Sequence, residues 1–259
     1  MVRRFSSVYL AYTQTEARHR KVLLMYSAIV FDVNETLLDL KALDPAFERH
    51  FGTGGYRKEW FNEVLKLAFT STVVGSYSDF GVIGQAALGI LEKRYARPCN
   101  EEQRQKILST MRKLPNHADV PESLEILREH GFRPVALTNS TASTAEAQLT
   151  HAGIRNFFEA VFSADTVGRL KPALEPYQMV ATSLGVAPNS LLMVAAHSWD
   201  VLGAIRAGWS GAFLARPGQI LDPLTPKPAF AAPDLVDLAR QIIQRGSPEL
   251  GKPQAGGRK

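Results

Sequence analysis

Apolar positions along this chain follow two alternating rhythms. Short β-branched runs recur, separated by stretches where apolar residues return every three or four positions. Residues 27–33 (Ser-Ala-Ile-Val-Phe-Asp-Val) form the first run and end in an acid, as a buried parallel strand does. Residues 133–138 form the second. It follows a helical pattern opened by Pro121, carried by Leu124, Ile126 and Leu127, and closed by Gly131. A helix near 142–152, a strand at 160–164 and a helix near 175–185 come next. A strand from Leu191 to Ala196, a helix near 199–207 and a strand at 211–215 complete the series. Strands alternating with helices predict an α/β fold: a doubly wound, Rossmann-like parallel sheet covered on both faces.

One stretch breaks the alternation. Leu65, Leu67, Ala68 and Phe69, then Ala86, Ala87, Ile90 and Leu91, then Ile107, Leu108 and Met111 fit apolar helix faces with no strand between them. The expected organisation is a catalytic core of residues 25–41 and 117–245 with an inserted helical cap of residues 42–116. The Gly- and Pro-rich stretch 246–259 reads as a disordered tail.

Composition limits what this fold does. The chain has 259 residues, 45% hydrophobic and 21% charged, enough for a large core plus an insert. The net charge of +5 belongs to the ends. Residues 1–24 carry +4 and residues 245–259 carry +3, which leaves the body near −2. A mildly acidic body does not support a nucleic-acid partner. No run of 18 uncharged apolar residues predicts a membrane span. The single cysteine, Cys99, excludes a disulfide within the chain and makes a reducing cytoplasm the default location. Residues 1–24 are Arg-rich with one acid and read as a basic, disordered extension before Met25. A transit peptide has the same composition and is the alternative.

Four polar clusters fall at predicted strand ends. They are Asp32-Val33-Asn34-Glu35-Thr36, Thr138-Asn139-Ser140, Arg169-Leu170-Lys171-Pro172 and His197-Ser198-Trp199-Asp200. In open α/β sheets, ligands bind outside the carboxyl ends of the strands, where strand order reverses. Four clusters converging there predict an active site. FDVNETLLD resembles motif I of the haloacid dehalogenase superfamily. LTNS resembles motif II, RLKP motif III and VAAHSWD motif IV, in order over about residues 27–220.

That superfamily holds both phosphatases and dehalogenases, and the departures separate them. Phosphatases of this kind use an acid two residues after the nucleophile, where this chain has Asn34, which supplies no proton at neutral pH. They also hold Mg²⁺ through motif IV carboxylates, where this chain has His197, a poor Mg²⁺ ligand. Thr138-Asn139, Lys171 followed by Tyr177, and Trp199-Asp200 with Gly203 and Ala204 resemble the (S)-2-haloacid branch. Two positions differ from it. His197 stands where the branch commonly has Asn, and Phe61, after Trp60, stands where it commonly has a halide-cradling Arg.

The resemblance implies hydrolysis of a small 2-haloacid with no metal or cofactor, and in many members a homodimer. It implies Asp32 as nucleophile and Asp200 as the water-activating base. The residues themselves suggest another base: a neutral His197 oriented by Glu35, the logic of a base held by a third group. Lys171 would keep Asp32 ionised and meet the substrate carboxylate. Val33, Asn34, Thr36, Phe61, Thr138, Asn139, Tyr177 and Trp199 are the candidate substrate contacts. Thr36 is expected to bind the Asp32 carboxylate. Tyr177, Trp199 and Phe61 serve equally as packing. His19, His50, His117, His130 and His151 have no ligand spacing. A Mg²⁺-dependent phosphatase and a non-catalytic binding protein that kept the fold remain the alternatives.

Overall fold

The computed structural model describes residues 25–246. The basic extension 1–24 and residues 247–259 of the expected tail lie outside the described residues. Gly246 itself closes a helix.

The core is a parallel sheet in the order β3-β2-β1-β4-β5-β6. Its strands are β1 (Ala28–Phe31), β2 (Pro134–Thr138), β3 (Ala160–Ser163), β4 (Leu191–Ala195), β5 (Ser210–Leu214) and β6 (Phe230–Ala232). β1 pairs with β2 through Val30 and Val135 on one side, and with β4 through Val30 and Met193 on the other. Strand order therefore reverses at β1, and the carboxyl ends of β1, β2 and β4 border the crevice. β1 is buried along its whole length. Period-two alternation sends Ile29 and Phe31 to one face of the sheet and Ala28 and Val30 to the other. A continuous apolar strand is what a sheet covered on both faces requires.

The covering helices of the core are α5 (Val120–Glu129), α6 (Ala142–His151), α7 (Leu174–Leu184), α8 (Ser198–Arg206) and α9 (Leu235–Gly246). β6 and α9 extend the alternation beyond the last predicted strand. The α9 pattern is amphipathic, with Leu235, Leu238, Ala239 and Ile242 buried. β6 is a three-residue edge strand, too short to show a period.

Between β1 and α5 the chain forms α1 (Asp44–Phe51), α2 (Tyr56–Val74), α3 (Phe80–Arg94) and α4 (Glu101–Thr110), joined by short turns. α4 begins at an Asn100–Gln103 capping box, with reciprocal side chain to backbone bonds of 2.9 Å. Trp60 of α2 is buried and donates its indole N–H to the Gly84 carbonyl of α3 at 2.9 Å. The connections into and out of this stretch run side by side. Asp39 N donates to Pro115 O and His117 N to Leu37 O, both at 2.9 Å. The buried apolar cluster on the Ile29 and Phe31 face runs without a break into Phe47, Trp60, Phe61 and Leu88 of these helices.

Candidate active site

The four polar clusters meet at the β1/β4 crevice. Lys171, in the loop before α7, is fully buried and reaches back under β1. Its ammonium donates to Asp32 Oδ1 at 2.9 Å, to Asp200 Oδ2 at 2.6 Å and to the Leu137 carbonyl at 2.9 Å. An ammonium has three N–H donors, and all three are engaged. None is left for a substrate carboxylate, which changes the second of the two roles expected of Lys171. Asp200 is equally committed: its Oδ1 accepts from Tyr177 at 2.6 Å. Tyr177 has no exposed surface, so it holds Asp200 rather than lining a pocket. The packing is tight here. A Cβ added to Gly203 would lie 2.4 Å from the Tyr177 hydroxyl, so α8 approaches α7 only because residue 203 is glycine.

The other oxygen of Asp32 faces motifs I and IV. Oδ2 accepts from the Thr36 hydroxyl at 2.7 Å, the local bond expected of Thr36. Thr36 Oγ1 in turn accepts from Ala196 N at 2.9 Å and ties β1 to the end of β4. His197 Nδ1 lies 3.4 Å from Asp32 Oδ2, and its Nε2 is 2.8 Å from Glu35 Oε2. Glu35, His197 and Asp32 thus form one line, the pairing anticipated from sequence. His197 stacks on Trp199 at 5.2 Å between ring centroids, and the Phe61 ring centroid lies 6.2 Å from the imidazole.

The remaining candidates divide into lining and scaffold. Asn34 donates to Ser140 Oγ at 3.2 Å and accepts from Gln148 at 3.1 Å, so its amide serves the scaffold. Asn139 accepts from Lys171 N at 2.8 Å and donates to Lys171 O at 3.3 Å, which pins the lysine loop to motif II. Thr138 Oγ1 accepts from Ser140 N at 3.1 Å and shapes that turn. The Val33 side chain is buried in the core, which leaves only its backbone for a ligand. Asp32 is 5% exposed. A cleft of about 470 Å³ opens on the Glu35 side of the histidine–glutamate pair, lined by Glu35, Lys41, Arg57, Lys58, Phe61 and Gln219 among others.

Electrostatics sort the carboxylates. Burial pushes the Asp32 carboxyl up, but the Lys171 charge and the neighbouring His197 outweigh it and hold Asp32 well below the usual range. It is ionised at neutral pH, as a nucleophile must be. Burial pushes Asp200 up, and the nearby Asp32 charge adds to that push against the opposing pull of Lys171. Burial alone would lower His197, but the adjacent carboxylates of Asp32 and Glu35 dominate and raise it to about 9. The resting imidazole is therefore protonated at neutral pH. The neutral base expected from the reference pKa does not describe this state, because two anions flank the ring.

This has a consequence for stability. A group raised on folding stabilises fully below its unfolded pKa and loses that contribution as pH climbs through the folded value. Resistance to urea should therefore fall between about pH 6.5 and 9 by a few kcal/mol. The same scan on His197→Asn should be flatter across that window. Identical slopes in the two proteins would show that the ring is not charged in the folded state.

Several residues at the site carried no signal in the sequence. Arg57 of α2 is buried and lies 3.7 Å from Glu35 Oε1. Gln219, after β5, donates to Glu35 Oε2 at 3.2 Å. Arg216 donates to the Thr36 carbonyl at 3.1 and 3.0 Å through Nε and Nη2, and to Asp119 at 2.7 Å. None belongs to a motif. A search for cations one turn away on the helix face that carries Phe61 would have found Arg57.

Known proteins resemble this chain in sequence and in fold. Residues 26–208 match the family model described as haloacid dehalogenase-like hydrolase. The (S)-2-haloacid dehalogenase of Xanthobacter autotrophicus is 29% identical over 75% of this chain and 77% of that protein. The structure of L-2-haloacid dehalogenase from the same organism, with chloropropionic acid covalently bound, superposes with a TM-score of 0.79. It is 26% identical and covers 84% of this chain and 98% of that one. The fructose-1-phosphate phosphatase of Escherichia coli (strain K12) is 29% identical over 71% of this chain and 93% of that protein. Fold, motif order and matched span together make this chain a member of the haloacid dehalogenase-like hydrolase family.

Proposed function

We propose that the chain hydrolyses short (S)-2-haloacids to (R)-2-hydroxy acids through an ester on Asp32. The observation that carries this reading is the state of Asp32. It is a buried carboxylate kept ionised by Lys171, at the switch point of the sheet, with a histidine–glutamate pair beside it. Residues 42–116 act in this reading as a cap that closes over the site.

In the first step an Asp32 oxygen attacks C2 of the haloacid from the side opposite the halogen. The C–O bond forms as the C–X bond breaks, and halide leaves with the bonding pair. C2 inverts, and Asp32 becomes a neutral ester. In the second step water attacks the ester carbonyl. One of its protons passes to a base, the C–O bond to Asp32 carbon breaks, and the hydroxy acid leaves protonated on its new oxygen.

His197 suits the base role because of the order of events. Ester formation removes the Asp32 charge that stabilises the imidazolium. The ring becomes easier to deprotonate at the stage that needs a base, and Glu35 still fixes its orientation. Positioned general-base help is worth about 10²–10⁴-fold. Asp200 is the second candidate, but both of its oxygens already hold donors. His197→Ala should release one equivalent of halide and then stall, with the substrate's carboxyalkyl fragment retained on Asp32 by mass spectrometry. Steady turnover in that variant would transfer the role to Asp200.

The substrate carboxylate is assigned to backbone N–H groups following motifs I and II, as anions are held at helix starts. Halide is assigned to the region of Phe61 and Trp199. The main test is chloride release from each enantiomer of 2-chloropropionate, with and without a chelator. Release from the (S) acid alone, unchanged by chelator, is the expected result.

A second reading, a Mg²⁺-dependent phosphatase, draws on the Escherichia coli relative. The donors fit it poorly. Asp32 Oδ2 accepts from Thr36, Asn34 Oδ1 accepts from Gln148, and both Asp200 oxygens are engaged. Hydrolysis of p-nitrophenyl phosphate that requires Mg²⁺, with no halide release, would favour it. A non-catalytic binding role predicts neither product.

A further inference from the structure

Glu35 is held more firmly than a general hydrogen-bond acceptor needs to be. Its φ is 62°, in the left-handed region that a residue with a side chain occupies only under constraint. Its carboxylate is met from three separate parts of the fold: His197 after β4, Gln219 after β5 and Arg57 on α2. Its carbonyl accepts from His117 Nε2 at 3.2 Å.

Of the three groups that meet the Glu35 carboxylate, Arg57 is the one that comes from the helices between β1 and α5. It is 4% exposed, unusual for an arginine on a surface helix. Its Nε donates to Asp44 Oδ1 of α1 at 2.5 Å, which fixes the guanidinium plane and turns Nη1 toward Glu35 Oε1 at 3.7 Å. Phe61 lies one turn further along α2 and faces His197. One helix face therefore addresses both members of the pair: a cation on the glutamate and a ring on the histidine.

We propose that Arg57 is a positioning residue: from the helical insert it holds Glu35 so that Glu35 aims His197 at Asp32, and the pair is complete only when α2 lies against the sheet. The kinetic consequence rests on the dehalogenation reading; the structural one does not. The guanidinium fixes the far oxygen of Glu35 and leaves the near oxygen for Nε2. With Arg57 gone, the carboxylate rotates among its other partners, and the imidazole loses its fixed direction toward the Asp32 ester. Ester hydrolysis suffers, and ester formation does not.

The test has two arms on the full chain. In the first, proton and nitrogen NMR of the histidine rings, without substrate, follows the low-field Nε2–H of His197, identified by its loss in His197→Asn. Arg57→Met should broaden or move that signal upfield, and Arg57→Lys should restore it in part. In the second, rapid-quench kinetics with (S)-2-chloropropionate should show hydrolysis of the ester slowed about tenfold, a fraction of the full general-base effect. The rate of ester formation and the substrate Kd read from it should stay within about twofold, and KM should fall with the hydrolysis step where that step limits turnover. Asp44→Asn, which frees the guanidinium without removing its charge, should give the same changes at smaller size and carries the test if Arg57→Met does not fold. An unchanged Nε2–H signal in both Arg57→Met and Asp44→Asn overturns the proposal. A signal that responds while the wild type releases no halide from any 2-haloacid upholds the positioning role and removes the dehalogenation reading instead.

Discussion

Lys171→Met should cost about 3–5 kcal/mol of folding stability at neutral pH and abolish turnover. The side chain it replaces has no exposed surface and carries three engaged N–H groups. Methionine fills a similar volume but leaves two buried carboxylates, Asp32 and Asp200, facing each other without a cation. Breaking a buried pair by removing one partner costs far more than the net worth of the pair, because the remaining charge stays desolvated. The Leu137 carbonyl also loses its donor, a further penalty of about 1–3 kcal/mol if no water replaces it.

The protein can relieve this strain by taking up a proton on Asp200, whose carboxyl is already pushed upward by burial. The deficit of the variant should therefore shrink as pH falls from 7 toward 5. Urea unfolding of both proteins at the two pH values checks this. A deficit below about 1 kcal/mol at pH 7 would mean that the ammonium is not buried as described. Activity fails for a separate reason: without Lys171 the Asp32 carboxyl rises toward the range of a buried acid and loses its nucleophilic form.

The second large effect concerns the bond that is made. Asp32→Asn should lower halide release by on the order of 10⁴-fold or more, the scale seen when a covalent nucleophile is removed. The amide keeps the shape of the carboxylate, and its oxygen can still accept from the Lys171 ammonium, so the variant should remain folded. It should also let His197 titrate at lower pH, because one of the two anions flanking the ring is gone. In the wild type, a single turnover in heavy-oxygen water should place the label in the Asp32 side chain, since water attacks the ester carbonyl and not C2. Label found in the hydroxy acid after that first turnover would mean direct displacement by water, with Asp32 as a base.

Loss of activity in these two variants does not by itself separate the proposed chemistry from its rival. A phosphatase would lose activity in both variants as well, so the substrate assay decides between them. The heavy-oxygen result speaks to the dehalogenation steps alone, because only there does an acid carbonyl carbon receive the water oxygen while C2 inverts.

The core of the fold was legible residue by residue. Ala28–Phe31 and Leu191–Ala195 read as continuous apolar runs because a strand covered on both faces has no polar side. Pro121 and Gly185 marked helix ends because their backbone preferences act locally. Asp32, Lys171, His197 and Glu35 were legible as one constellation because strand ends in such a sheet converge. Their rank within it was not. Lys171 had no visible reason to be cut off from substrate until Leu137 and Asp200 appeared on its ammonium. Tyr177, which served equally as lining or packing in the sequence, bonds Asp200, and Asn139, read there as a substrate contact, bonds the backbone of Lys171.

What the chain's own order determines is therefore the local part: periodicity, helix ends, and which acids and bases stand at the ends of strands. Only the tertiary structure decided the charge of His197, the confinement of Lys171 and the reach of Arg57 to Glu35. The reason is distance. Backbone preference acts over a few residues, whereas a proton's free energy depends on charges that are 139 and 162 residues apart along the chain and 2.9 and 2.8 Å apart in space.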